Sequence, residues 1–129
     1  MLKNKDTADV ADTTAVDVFV ECLVGRKVLR SLLDAAVLSL LNENSLHGYA
    51  LIQALKDEFH VVVGPSNMYP MLSNLEKAGF AVSNWNLTCK ERPQKTYTIT
   101  NKGRTLLAAY ITELEHFSLF LKKPTRVEA

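Results

Sequence analysis

Apolar residues recur along this chain in two rhythms, a three-and-four spacing over most of its length and a short alternation beyond the middle. Residues 1–13 carry neither rhythm and read as a tail. Over 14–25, Val16, Phe19, Val20 and Leu23 share one face and predict a short helix that Gly25 stops. A second helix is predicted over 27–42, where Leu29, Leu32, Leu33, Ala36, Val37, Leu40 and Leu41 make a wide apolar stripe. Ser45 is the expected N-cap of the next helix, over 46–58, with Leu51, Ile52, Leu55 and Phe59 inward. The run 60–63 is too short for a helix and reads as a small strand or an extended link. Gly64 and Pro65 open a further helix, because a proline in the first turn loses no needed hydrogen bond. Met68, Met71, Leu72 and Leu75 form its core face, Pro70 is expected to distort its first turns, and Gly79 closes it. Alternation with β-branched and aromatic residues then marks strands over 80–86 and 95–100, with Lys90, Arg92 and Pro93 in the loop between them. Thr100 or Asn101 caps a last helix over 101–121, and 122–129 is a charged tail.

The pattern therefore predicts a mainly α fold with a two-stranded β-hairpin. One domain (26–100) is flanked by an N-terminal helix (14–25) and a C-terminal helix (101–121). A chain of 129 residues, 47% apolar and 22% charged, suits one modest core. No stretch approaches the roughly 18 apolar residues of a membrane span, and residues 1–12 are too polar for a secretory signal. A cytoplasmic location is expected, with no membrane partner. Cys22 and Cys89 alone make neither a disulfide framework nor a zinc knuckle, so no metal or other cofactor is expected. Cys22 reads as buried and Cys89 as an ordinary exposed thiol rather than a redox sensor.

The net charge of +1 hides an uneven distribution. Residues 1–25 hold two basic and five acidic side chains, residues 26–85 five of each, and residues 86–129 eight basic against four acidic. The excess is densest where Lys90, Arg92, Lys95, Lys102 and Arg104 face only Glu91. A short basic segment on a neutral body suits a local phosphate contact.

Three helices followed by a hairpin is the order of a winged helix-turn-helix, in which the third helix enters the major groove and the hairpin reaches along the backbone. Three segments make the likeness specific. They are Leu46-His47-Gly48-Tyr49, then Asn67-Met68-Tyr69-Pro70-Met71-Leu72 with Leu75-Glu76, then Tyr97-Thr98-Ile99-Thr100 with Gly103-Arg104. Together they resemble the PadR family of transcriptional regulators, over roughly residues 29–107. The resemblance implies a dimeric repressor whose third helices and wings meet a palindromic operator on double-stranded DNA. It implies that Tyr69 begins the reading helix and that Tyr49 lies near a phosphate. Relatives often carry arginine or lysine midway along that helix, where this chain has Ser73 and Asn74, and only Lys77 is basic there. The DNA-binding residues expected are Tyr49, Ser66, Asn67, Tyr69, Ser73, Asn74 and Lys77, with Lys90, Arg92 and Lys95 from the wing. Asparagine is the residue that pairs with adenine, so Asn67 and Asn74 are expected to read bases or touch phosphates.

Plainer readings stand beside these. Tyr69 also suits a half-buried packing residue, and the basic loop also suits a solvated turn. Gly48 is expected to allow close helix packing, His47 to make a structural hydrogen bond, and Trp85 to belong to the core or the wing base. No nucleophile–base pair, paired carboxylates or metal cluster stands at a recognisable spacing, so an enzyme is not expected. On the last helix Leu107, Tyr110, Leu114, Phe117 and Leu121 recur as the seam of a helix pair, widened by Ile111 and Phe120. More apolar surface than a lone winged domain can cover predicts a homodimer, with Val16, Phe19, Val20 and Leu23 as the complement. Some relatives bind flat aromatic effectors between such helices, and Tyr110 and Phe117 offer similar surfaces. The rival reading is a winged-helix module for protein interaction or ligand sensing with weak or lost DNA binding.

Overall fold

The computed structural model describes residues 23–87 and 93–123. The expectations for Val16, Phe19, Val20, Cys22, Cys89, Lys90, Arg92 and both tails lie outside the described residues. Residues 23–31 are helical, and a turn at Leu32 joins them to α1 (Leu33–Glu43). Gly25 does not stop the helix, because it lacks the positive φ that a glycine stop uses; Gly79 is the described glycine that has it. Backbone bonds from Leu32 to Val28 and from Ala36 to Leu32 carry the helical path through the turn.

β1 (Leu46–His47) occupies the first two positions expected to be helical. Pairing with a later strand claims this backbone, so α2 begins at Gly48 and runs to Phe59. The N-cap is accordingly His47, whose Nδ1 accepts from the Ala50 backbone N–H at 3.2 Å. Ser45, the expected cap, instead shares a 2.7 Å hydrogen bond with Thr98. Residues 60–64 form no strand, and His60 turns the chain in the left-handed conformation, with φ 58°. α3 (Pro65–Lys77) starts at its proline and stays helical through Pro70. That residue is exposed, so the Ser66 carbonyl deprived of a donor faces outward, where water can satisfy it. Gly79, with φ 87°, ends α3, and bonds from Gly79 to Glu76 and from Phe80 to Leu75 close the last carbonyls.

β2 (Ala81–Asn86) and β3 (Gln94–Ile99) are antiparallel, with Ser83 opposite Tyr97 and Trp85 opposite Lys95. β1 pairs with the free edge of β3, giving three strands in the order β1-β3-β2 rather than the two expected. Thr100 caps α4 (Asn101–Lys122), accepting from the Gly103 backbone N–H at 3.0 Å and donating to the Gly79 carbonyl at 2.7 Å. The core is one cluster joining Val37, Leu38 and Leu41 of α1, Leu51 and Leu55 of α2, Met68, Leu72 and Leu75 of α3, and Tyr97 and Ile99 of β3. Val61 and Val63 seal it from the loop below α3. This is a winged helix with a long C-terminal helix.

Candidate nucleic-acid interface

Burial of Met68, Leu72 and Leu75 fixes how α3 is rotated. At 100° per residue, Ser66, Pro70, Ser73 and Lys77 then lie opposite the core, on the outer face. Tyr69 and Glu76 fall on the flank facing the hairpin, Asn67 and Asn74 on the other.

The hairpin-side flank borders a cleft of about 750 Å³ whose walls include His47, Tyr49, Tyr69, Ser73, Trp85 and Lys95. Two contacts shape its floor. The Tyr69 ring lies directly on Gly48, in space that any Cβ there would occupy, so the expected close approach is met by a side chain of the next helix. Tyr49, exposed on the first turn of α2, accepts a hydrogen bond from Gln53 Nε2 at 3.1 Å. On the wall, the Lys95 ammonium stands 5.8 Å from the Trp85 ring centre and 5.7 Å from that of Tyr97. Trp85 is 60% exposed and so is not a core residue. It sits near the far end of edge strand β2, which outruns the helices; only Ala81 of that strand is buried.

The other flank meets residues that sequence reasoning overlooked. Asn74 shares a recess of about 410 Å³ with Arg30 and Asp34, and Asn67 shares one of about 480 Å³ with Arg30 and Leu33. The expected pair of asparagines is thus brought together on one side, but apart from Tyr69 and Ser73. Arg30 lines both recesses, so a basic residue borders this flank of α3. Nothing in the sequence links position 30 to positions 67 and 74; the packing of two helices does.

The expected dimer seam divides in two. Leu107 packs against the core, and Tyr110 is half-buried, donating from its hydroxyl to Asp34 Oδ2 at 2.6 Å. That hydrogen bond, then desolvation, then the carboxylate charge raise the phenol above its ordinary pKa of 10.0. Leu114, Phe117 and Leu121 are exposed, as are Ile111, Leu119, Phe120 and Leu23. Phe117 and Phe120 stack with ring centres 6.3 Å apart.

A helix with hydroxyls and lysine on its outer face and amides on one flank, next to a wall bearing Lys95, offers donors suited to phosphate oxygens and base edges. No group of three His, Cys, Asp or Glu among the described residues is placed to hold a metal ion, and no described helix is long and apolar enough to cross a membrane.

Comparison with known proteins bears on this geometry. No curated protein matches the chain in sequence. A transcriptional regulator from Clostridium thermocellum has a similar structure, with TM-score 0.67 and 24% identity over 78% of this chain and 99% of that one. A PadR family transcriptional regulator from Eggerthella lenta gives TM-score 0.67 and 24% identity, covering 92% of this chain and 94% of its own. Bacillus subtilis PadR, solved in complex with operator DNA, gives TM-score 0.58 and 28% identity over 62% of this chain and 47% of that one. The sequence profile of the transcriptional regulator PadR-like family matches residues 37–109, more than half of the chain, and the chain belongs to that family.

Proposed function

We propose that this protein is a sequence-specific, DNA-binding repressor that acts in the cytoplasm as a homodimer on a palindromic operator. The observation that carries this reading is the rotation of α3, which turns Ser66, Ser73 and Lys77 away from the core beside a cleft walled by Tyr49, Tyr69 and Lys95. The Bacillus subtilis relative bound to operator DNA supports it. In this reading Tyr49, Lys77 and Lys95 hold phosphates, together with Lys90 and Arg92 of the wing loop. Tyr69, Ser73, Asn67 and Asn74 meet base edges, and an asparagine paired bidentately with adenine discriminates by about 1–3 kcal/mol. The exposed apolar residues of α4 close the dimer with their counterparts in a second copy, and Leu23, Val16, Phe19 and Val20 extend that surface. A flat aromatic effector bound beside Phe117 and Tyr110 would act on the dimer from there.

Fluorescence polarisation with DNA from upstream of the protein's own gene tests the reading. A dimer that neutralises about 6 to 10 phosphates loses roughly 10³- to 10⁵-fold in affinity between about 50 and 200 mM salt. A salt-independent signal would overturn the phosphate contacts. Leu114→Asp is expected to give monomers by light scattering, since an unpaired carboxylate in an apolar seam costs several kcal/mol. An intact dimer in that variant would move the interface off α4.

A further inference from the structure

Glu76 sits on the reading helix, yet its carboxylate serves the hairpin. Oε2 accepts a hydrogen bond from Ser83 Oγ at 2.7 Å, and Oε1 lies 4.0 Å from Lys95 Nζ. Ser83 belongs to β2 and Lys95 to β3, so one side chain ties α3 to both strands of the wing. The two contacts differ in weight. The ion pair is long and more than a third exposed at each partner, and pairs of that kind contribute little. The bond from Ser83 to an ionised oxygen is short, and such charge-assisted bonds are the stronger kind. Lys95 is steered as well by the Trp85 and Tyr97 rings, so its ammonium stays at the cleft beside Tyr69.

Charge alone assigns Glu76 the opposite role. A carboxylate beside a surface that meets phosphates repels DNA, and removing it should tighten binding. We propose that Glu76 is instead a positioning residue that braces the wing against the reading helix, so that Lys95 and the helix are presented to DNA in a fixed relation. The two roles give opposite signs in one variant. The affinity arm of the test rests on the DNA-binding reading above; the arm that reads the free protein does not.

Trp85 is the only tryptophan of the chain and lies on the braced strand opposite Lys95, so it reports wing motion without a label. The full chain would be compared with Glu76→Ala, Ser83→Ala, the double variant and Glu76→Gln. The readouts are time-resolved Trp85 anisotropy in the free protein and polarisation affinity for the upstream DNA. Glu76→Ala and Ser83→Ala are each expected to speed Trp85 depolarisation and to weaken DNA binding about three- to fivefold. The full worth of a charge-assisted bond exceeds that factor, and only the part that shifts the population of the competent state reaches the affinity. The double variant should add little to either single one, because both remove the same link. Glu76→Gln keeps an acceptor for Ser83 and should recover most of both signals. Tighter DNA binding by Glu76→Ala, or Trp85 anisotropy unchanged in both single variants, would overturn the brace. If the unaltered protein binds no DNA, the DNA reading fails and the anisotropy arm still decides whether Glu76 holds the wing.

Discussion

Gly48→Ala separates a folding role from a binding role at a single methyl group. Gly48 has no positive φ, so the backbone tolerates alanine there, and only the neighbouring ring objects. The added Cβ would stand 2.6 Å from Tyr69 Cζ and 2.7 Å from Tyr69 Oη, well inside contact distance. Overpacking of an enclosed core costs about 1–3 kcal/mol, but these atoms are the outer end of a side chain that is 43% exposed. Rotation of Tyr69 into solvent relieves the clash for less than about 1 kcal/mol, and alanine in place of helical glycine returns about 0.5–1 kcal/mol. The sum is near zero. Since about 1 kcal/mol moves the melting temperature of a domain this size by roughly 3–6 °C, Gly48→Ala is expected to melt within that interval of the unaltered protein. DNA binding should respond differently, because Tyr69 is displaced from the cleft wall. Loss of one ordinary hydrogen bond to a base edge weakens each half-site about fivefold. Polarisation titrations of Gly48→Ala, Tyr69→Ala and the double variant measure this, and the double variant should bind no more weakly than Tyr69→Ala. Additive losses, or a large drop in melting temperature with affinity intact, would refute the argument that Gly48 acts through Tyr69.

Two further outcomes concern the body that carries the interface. Gly103→Ala drives a Cβ into the Phe80 carbonyl oxygen and to 2.8 Å from Ile99 Cγ1; that carbonyl also accepts the Thr100 backbone N–H, so nothing there can swing away. It is expected to lose about 1–3 kcal/mol in urea denaturation, and an unchanged midpoint would contradict the packing. For Tyr110, a folded pKa above the ordinary 10.0 means that the fold holds the proton more tightly. The stability linked to it is complete below about pH 10 and is lost as pH rises through the folded value. Tyr110→Phe should lack that alkaline loss when both proteins are unfolded with urea at successive pH values; parallel curves would refute the Asp34 contact.

Much of the fold was legible because local periodicity and local turn chemistry point the same way. The three-and-four spacing of Leu51 and Leu55, and of Met68, Leu72 and Leu75, requires helices with one buried face whatever they pack on. Pro65, Gly79 and Thr100 act through their own backbone and side-chain geometry, and each stands at the boundary where it was expected. Tyr49, Tyr69 and Lys95, which line one cleft, were singled out by motif and charge. The remainder depended on partners distant in sequence. β1 exists because β3, some fifty residues later, offers an unpaired edge, and that pairing moved the helix start from Ser45 to His47. Trp85 reads as a residue of the core or the wing base, and its place near the far end of β2 leaves it exposed on the wing. Leu107 and Tyr110 share a stripe with Leu114 and Phe117, yet α1 meets the first half of α4, from Asn42 at Arg104 to Asp34 at Tyr110, and leaves the last two exposed. Arg30 beside Asn67 and Asn74, and Glu76 between Ser83 and Lys95, are meetings of surfaces. A sequence determines which face of each element seeks burial, through spacing that each element carries alone. Which polar groups then meet across elements is decided by the angles and distances at which those faces pack, and these exist only once the core has formed.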